Sequence, residues 1–352
     1  MRVLMISADR SKRGVLFPDT PAFKRQEAYA SRFGNLDIVG FSRRSDEVRE
    51  YEGEQLHIIP THSMSRFLYV RDAIRIAKKL PKPDVVTVQD PFEAGLAGWR
   101  IAKRFGVPLH VQIHTDFLSP EYTKLSLLNR LRVHIAQFVL RRATHIRVVS
   151  GRIRDGLETL EHSARVTVLP IFVDVQSFQE AAAFERPYLK YTKTLLVVSR
   201  LEKEKNVQLA VDAFVQVAPE DCGLVIVGEG SRWPTVDPAV EARVTIVKDE
   251  TLPSLYKSVD LVLVPSTYEG YGLVIVEALA AGKPVLSTDV GVAREAGAIV
   301  TTQDRFADAL AEWFRSGPRT GELKNYQYRS FEEYVGMYCE DIRTCVKGQK
   351  SE

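Results

Sequence analysis

The segment PSTYEGYGLVIVEALAAGKPVLSTDVG, residues 265–291, decides how this chain reads. An apolar strand ending at Pro265 gives way to a loop with glycines at 270 and 272, and an apolar helix starts near Gly272. Glycine lets backbone approach a ligand closely. A helix N-terminus offers free N–H groups and the positive end of its dipole, which together suit a phosphate. Glu269 precedes that helix, and Glu277 follows after seven intervening residues. A phosphate on the helix end would have a carboxylate on either side, and carboxylates accept hydrogen bonds from sugar hydroxyls. A sugar nucleotide has that outline. The plain alternative is two solvated glutamates on a surface helix; the glycines and the strand-end position weigh against it.

Working outward, the second half alternates apolar strands at 194–199, 223–227, 244–247, 261–265 and 284–287 with helical patterns at 207–217, 252–258, 272–281 and 305–315. The first half repeats the scheme. Its strands fall at 3–7, 36–41, 56–59, 85–88, 109–114 and 145–149, and its helices at 21–33, 67–80, 92–105 and 124–143. Strands alternating with amphipathic helices predict parallel sheets covered on both faces. The expected fold class is α/β, with two Rossmann-like doubly wound domains facing across a cleft. The predicted domains are 1–172 and 173–330, joined near 170–186. A final helix at 331–346, with Tyr334, Met337, Tyr338 and Ile342 on one stripe, is expected to pack back on the first domain.

Length and composition agree with two soluble domains: 352 residues, 45% hydrophobic and 26% charged. The three cysteines, 222, 339 and 345, form no CxxC pair, which argues against a disulfide framework or zinc site and for a reducing, cytoplasmic setting. The N-terminal MRVLMISADR reads as a buried strand rather than a leader, since its apolar stretch is only residues 3–6. About the last five residues read as frayed. Residues 1–172 carry 28 Lys+Arg against 18 Asp+Glu, and residues 173–352 carry 20 against 27. The basic half suggests an anionic partner, with solvated helix faces as the plain alternative.

Four further motifs bear on chemistry. In SRLEKEKN, 199–206, Arg200 and Lys205 follow a strand end and can reach a loop-bound diphosphate, stabilising it as a leaving group. VGEG, 227–230, places Gly228 and Gly230 in a turn that lets a base or phosphate approach, or is only a turn. QIHTDF puts His114, Thr115 and Asp116 at another strand end, where a histidine can move a proton or bind a sugar. His110 on the same strand competes for that role, and a core histidine is the plain alternative. The helix at 124–143 has an apolar stripe of Leu127, Leu128, Leu131, Ile135 and Val139 beside Lys124, Arg130, Arg132, Arg141 and Arg142. With the bases of the 67–80 helix it can rest on an anionic membrane surface, unless the stripe faces the core.

Arg200 and Lys205, then VGEG, then Glu269-x7-Glu277, together resemble the family 4 glycosyltransferases of GT-B fold, also called glycosyl transferases group 1. LYKSVDLVLVPSTYEGYGLVIVEALAAGKPVLSTDVG is similar to that family's donor-side signature, and VVSRLEKEKN to its phosphate motif. VTVLPIFVDVQSF resembles the linker, DPFEAGLAGWRIAKRFGVPLHVQIHTDF the acceptor-lobe segment, and FEEYVGMYCEDI the returning C-terminal helix. The likeness covers nearly the whole chain and is most specific in the second half. It departs at the first loop, where only Gly14 stands for a glycine pair, at Ile171-Phe172, at Ser199 and Asn206, and at Lys248.

The resemblance implies retaining transfer of a hexosyl group from a nucleotide-diphosphate sugar, without a metal or other cofactor. The acceptor would be lipid-linked, a polysaccharide or another glycan; no nucleic acid is implied. Glu269 and His114 would serve catalysis. Arg200, Lys205 and the N–H groups of Gly272 and Leu273 would hold the diphosphate, with Gly270 and Tyr271 in the same loop. Glu277 would bind the ribose, and backbone near Val247 and Lys248 the base. Gly14 and Asp116 would lie on the acceptor side. The setting would be cytoplasmic, on the inner face of the plasma membrane. Two other readings are a non-catalytic sugar-nucleotide-binding subunit and a two-lobed epimerase. The charged residues that are present argue against the first, and the Glu269-x7-Glu277 run against the second.

Overall fold

The computed structural model describes residues 1–248 and 250–348, so the expected fraying at the C-terminus lies largely outside the described residues. The chain forms two compact units. The first comprises residues 1–118, 126–170 and 329–352, and the second residues 119–125 and 171–328. Residues 119–125, which lie inside the stretch 1–172 that the sequence assigns to the first domain, group with the second unit.

The first unit contains β1 (Arg2–Ser7), α1 (Pro21–Phe33), β2 (Asn35–Gly40), β3 (Tyr51–Glu52), β4 (Leu56–Pro60), α2 (Tyr69–Ala77), β5 (Val85–Val88), α3 (Glu93–Phe105) and β6 (Leu109–Ile113). The chain then leaves for α4 (Pro120–Leu125) in the second unit and returns as α5 (Leu127–Leu140), β7 (His145–Val148), α6 (Gly151–Leu157) and β8 (Arg165–Val168). The sheet order is β3-β4-β2-β1-β5-β6-β7-β8, parallel except for the β3–β4 edge pair. β5, β6 and β7 are buried along their whole length, as a sheet covered on both faces requires. Helix starts follow local chemistry: Thr20 caps α1 ahead of Pro21, and Ser126 and Ser150 cap α5 and α6. The Ser126 cap is also why the single helix expected at 124–143 is two, α4 and α5.

The second unit contains α7 (Val175–Glu180), β9 (Lys193–Val198), α8 (Val207–Val217), β10 (Cys222–Val227), β11 (Val244–Val247), α9 (Leu252–Lys257), β12 (Leu261–Val264), α10 (Leu273–Ala280), β13 (Val285–Thr288), α11 (Ala293–Ala296), β14 (Ile299–Thr301) and α12 (Phe306–Ser316). Its all-parallel sheet runs β11-β10-β9-β12-β13-β14. Phe214, Phe306 and Trp313 fill the core between α8, α12 and the sheet. The strand order reverses between β9 and β12, the position where doubly wound sheets open a crevice at their carboxyl edge. In the first unit the reversal lies between β1 and β5.

The last helix, α13 (Phe331–Gly348), belongs to the first unit. Its buried face is Tyr334, Val335, Tyr338, Cys339, Asp341, Ile342 and Cys345, while Met337, expected on the stripe, is exposed. A polar network pins it. The Tyr29 and Tyr334 hydroxyls lie 2.8 Å apart, Tyr29 stacks on Tyr338, and Gln112 donates to the Tyr338 hydroxyl. Asp341 takes His110 Nε2 on one carboxylate oxygen at 2.9 Å and His145 Nε2 on the other at 3.0 Å. Burial acts to raise the Asp341 carboxyl, but these two hydrogen bonds outweigh it and hold it well below the usual carboxylate range. His110 Nε2 is hydrogen-bonded to its oxygen, and His145 Nε2 is shared with the Thr167 hydroxyl at 2.8 Å. His110 is therefore a structural residue, fully buried between Thr87 and Asp341.

Candidate active site

Two loops meet at the switch point of the second unit, one following β9 and the other following β12. The carbonyl oxygen of Glu204 accepts from both the N–H and the hydroxyl of Thr267, at 2.8 and 3.1 Å, which ties the loops together. Lys205 Nζ lies 2.5 Å from Glu269 Oε1, and Ser266 Oγ donates to the same oxygen at 2.8 Å. Arg200 pairs with Glu204 at 3.0 Å while most of its side chain stays in solvent. Both cations expected to meet a diphosphate are thus held at this edge by carboxylates. Glu202 accepts from the Ser231 hydroxyl at 2.8 Å.

Gly272 caps α10 at φ +95°, a conformation that favours glycine, and no side chain caps the helix. The first N–H groups of α10, starting at Leu273, are where an anion would dock. Tyr271 is buried, and its carbonyl accepts from Val292 N at 2.9 Å, fixing the loop from behind. Gly270 lies in the same loop. Burial raises the Glu277 carboxyl above its ordinary value, opposed by a 2.9 Å hydrogen bond from the Tyr256 hydroxyl on α9. That partner is 21 residues away in sequence, and neither motif nor periodicity pointed to it.

The VGEG glycines form a close turn. A Cβ on Gly228, at φ +152°, would stand 1.8 Å from the Ser199 carbonyl oxygen, and one on Gly230 would stand 2.3 Å from that of Leu201. Their missing side chains are filled by the Arg200 loop itself. These glycines let the post-β9 and post-β10 loops pack backbone to backbone. The Val247 carbonyl is committed to Gly228 N at 2.9 Å, and Lys248 stands exposed, 4.0 Å from Glu229. Ser199 contributes something its motif did not suggest: a buried hydroxyl with no hydrogen-bond partner, directly before Arg200.

In the first unit, His114 ends β6. Burial first, then Arg147 and Arg25, pushes its imidazole down to about 3, so it is neutral at neutral pH and can donate or accept one hydrogen bond. Asp116 follows, half-buried. Two residues past the end of the adjacent β5 stands Asp90, which sequence reasoning passed over. Its carboxylate accepts from Phe92 N at 2.7 Å, and burial raises it to about 6. The missed signal was an acid two residues after a fully buried strand next to the switch point. Gly14 is buried in the loop after β1, where a Cβ would meet Asp9 Oδ2 at 2.6 Å. It supports a turn against Asp9.

A family description, Glycosyltransferase Family 4, matches residues 27–177, and a second, Glycosyl transferases group 1, matches residues 192–316. The chain belongs to the family 4-like glycosyltransferases. Among curated proteins it is 26% identical over 259 residues to the alpha-monoglucosyldiacylglycerol synthase of Acholeplasma laidlawii, covering 65% of this chain and 65% of that one, just under two thirds of its length. The fold matches sucrose-phosphate synthase from Thermosynechococcus elongatus with TM-score 0.69 at 16% identity, over 99% of this chain and 94% of the other. It also matches Anabaena Alr3699/HepE in complex with UDP-glucose with TM-score 0.66 at 16% identity, over 100% of both chains. These solved structures place the family 4-like chain in the GT-B fold.

Proposed function

We propose that this chain is a retaining glycosyltransferase that moves a hexosyl group from a nucleotide-diphosphate sugar to a lipid-linked or other glycan acceptor. The observation that carries this reading is the joined pair of loops, where Arg200, Lys205, Glu269 and the uncapped α10 N-terminus converge at the β9/β12 switch point. Breaking the bond from the anomeric carbon to phosphate leaves negative charge on the diphosphate and positive charge on the sugar ring. Arg200, Lys205 and the helix N–H groups oppose the first charge, so the chemistry needs no metal. Glu269 gives up Lys205 to the phosphates and turns to the sugar, and Glu277 holds the ribose. The acceptor oxygen forms the new bond on the face the diphosphate leaves, and its proton passes to the departing oxygen.

The acceptor reading draws on the glycolipid synthase named among the relatives and on α5. Leu127, Leu128 and Leu131 are 77, 50 and 55% exposed rather than in the core, beside Arg130. Such a helix end suits an anionic membrane surface. Among the described residues no helix is long and apolar enough to cross a membrane, so attachment at the inner face would be peripheral.

The test is thermal stabilisation by UDP-, GDP- and ADP-sugars, followed by transfer in excess chelator with the product anomer read by NMR. One donor class should stabilise the wild type strongly and lose that effect in Arg200→Ala and Lys205→Ala. Equal stabilisation in those variants, or an inverted product, would overturn the site assignment or the stereochemistry respectively.

A further inference from the structure

We propose that the loops after β1, β2 and β4 form a phosphate site on the acceptor side, so that the acceptor is a phosphate-bearing molecule held by Arg10, Arg43, Arg44, Ser63 and Tyr69. This names the acceptor class for the activity proposed above and rests on that reading.

β4, β2 and β1 are neighbours in the sheet, and their following loops share its carboxyl edge with Asp90 and His114. The three loops carry Arg10, Lys12, Arg13, Arg43, Arg44, Arg49 and Arg66 against Asp9, Asp19, Asp46, Glu47 and Glu50. Three of those acids are engaged locally, Glu50 with His57 at 2.7 Å. Asp9 accepts from Ser11 N at 2.9 Å, and Asp46 accepts from Arg43 N at 2.8 Å and from Arg10 at 3.4 Å. The loops are laced together: Arg43 and Ser63 form a parallel bridge, and Arg44 N donates to Ser63 O at 3.2 Å. The Arg10 guanidinium sits 5.5 Å from the centre of the Tyr69 ring.

Two buried hydroxyls within this basic cluster are unmet. Ser63 is 1% exposed and Tyr69 is 6% exposed, and neither hydroxyl has a hydrogen-bond partner. Unmet buried hydroxyls are uncommon because they are costly to keep. Beside arginines, both can donate to an oxyanion, which accepts several such bonds at once. Strands stand about 4.8 Å apart, so the loops of β1, β2 and β4 lie roughly 10–19 Å along the edge from His114. That span separates the phosphate from the reacting hydroxyl by about one sugar ring or more. On the β4 loop, Met64 and Phe67 are 71 and 96% exposed on either side of Arg66. The phosphate can therefore belong to a lipid headgroup as well as to a soluble sugar phosphate.

The experiment follows thermal unfolding of the full chain against inorganic phosphate at constant ionic strength. Because the donor loops also bind phosphate, it starts from the Arg200→Gln/Lys205→Gln background. A phosphate response should persist there, and adding Arg10→Gln/Arg44→Gln should raise its midpoint at least about tenfold, the size of one charge-assisted bond. Tyr69→Phe should also weaken the response while leaving the unliganded melting temperature unchanged or higher. A purely structural hydroxyl would lower it. No phosphate response in the Arg200→Gln/Lys205→Gln background, or a response unaltered by Arg10→Gln/Arg44→Gln, overturns the proposal. Sedimentation with phosphatidylglycerol and phosphatidylcholine vesicles separates the sources. Loss of phosphatidylglycerol binding in Arg10→Gln/Arg44→Gln assigns a headgroup, and unchanged vesicle binding with the phosphate response lost assigns a soluble phosphate. The donor reading fails separately, if Arg200→Gln/Lys205→Gln still responds to nucleotide sugars as the wild type does.

Discussion

Replacing Glu277 with glutamine should make the unliganded protein more stable and the donor complex weaker. Burial raises the Glu277 carboxyl, and only the Tyr256 hydroxyl opposes that rise. A carboxyl whose folded pKa lies above its unfolded value of about 4.3 gives stability that is fully present below that value and is lost as pH rises through the folded pKa. At pH 7 the ionised Glu277 is therefore a cost. A neutral amide keeps an oxygen for Tyr256 and removes the desolvated charge. The variant should therefore gain stability at pH 7, in the direction that removing a desolvated charge dictates. In the donor complex the same change removes charge-assisted bonds to the ribose, worth about 1.5–3 kcal/mol, or roughly 10- to 150-fold in donor affinity. Urea unfolding of both forms from pH 4 to 8 reads the first effect. The variant should be the more stable at pH 7, and the difference should close as pH falls towards 4. Donor titration reads the second. A less stable variant at pH 7 with unchanged donor affinity would refute the reasoning.

Two further substitutions probe the scaffold. Gly228→Ala puts a methyl 1.8 Å from the Ser199 carbonyl oxygen, so the Arg200 loop must move; the expected cost is about 2–4 kcal/mol by chemical unfolding, with donor affinity lost as well. Asp341→Asn leaves His110 and His145 with an uncharged partner and should destabilise the first unit by about 2–4 kcal/mol at pH 7. The folded pKa of Asp341 lies below its unfolded value, so its contribution is present above about pH 4 and is lost as pH falls from there towards the folded pKa. The variant should therefore show a shallower acid destabilisation than the wild type, and parallel curves would contradict the assigned pairing.

Strand and helix placement was largely legible, because buried parallel strands are short apolar runs and their helices carry a 3.6-residue period. β5, α1 and α8 fall where the pattern puts them. Short or partly exposed elements were not foreseen. β8 and β14 are only partly buried, α7 and α11 are brief, and β3 has two residues. In the site, charge type and strand-end position marked Arg200, Lys205, Glu269 and Glu277. Tyr256 carried no pattern of its own, since its hydroxyl takes its role from Glu277, 21 residues away.

By itself the sequence determined which residues could do chemistry and at which strand ends they stand, because hydrophobic period and glycine position are local properties of the chain. Tertiary structure alone decided their state. Lys205 is engaged by Glu269 from 64 residues away, and Gly228 is a glycine because the Ser199 carbonyl occupies the space of its side chain. Leu127, Leu128 and Leu131, whose stripe by sequence could face a membrane or the core, stand exposed at the start of α5. Desolvation, ion pairing and close backbone contact depend on distances between segments remote in sequence, and folding brings those segments together.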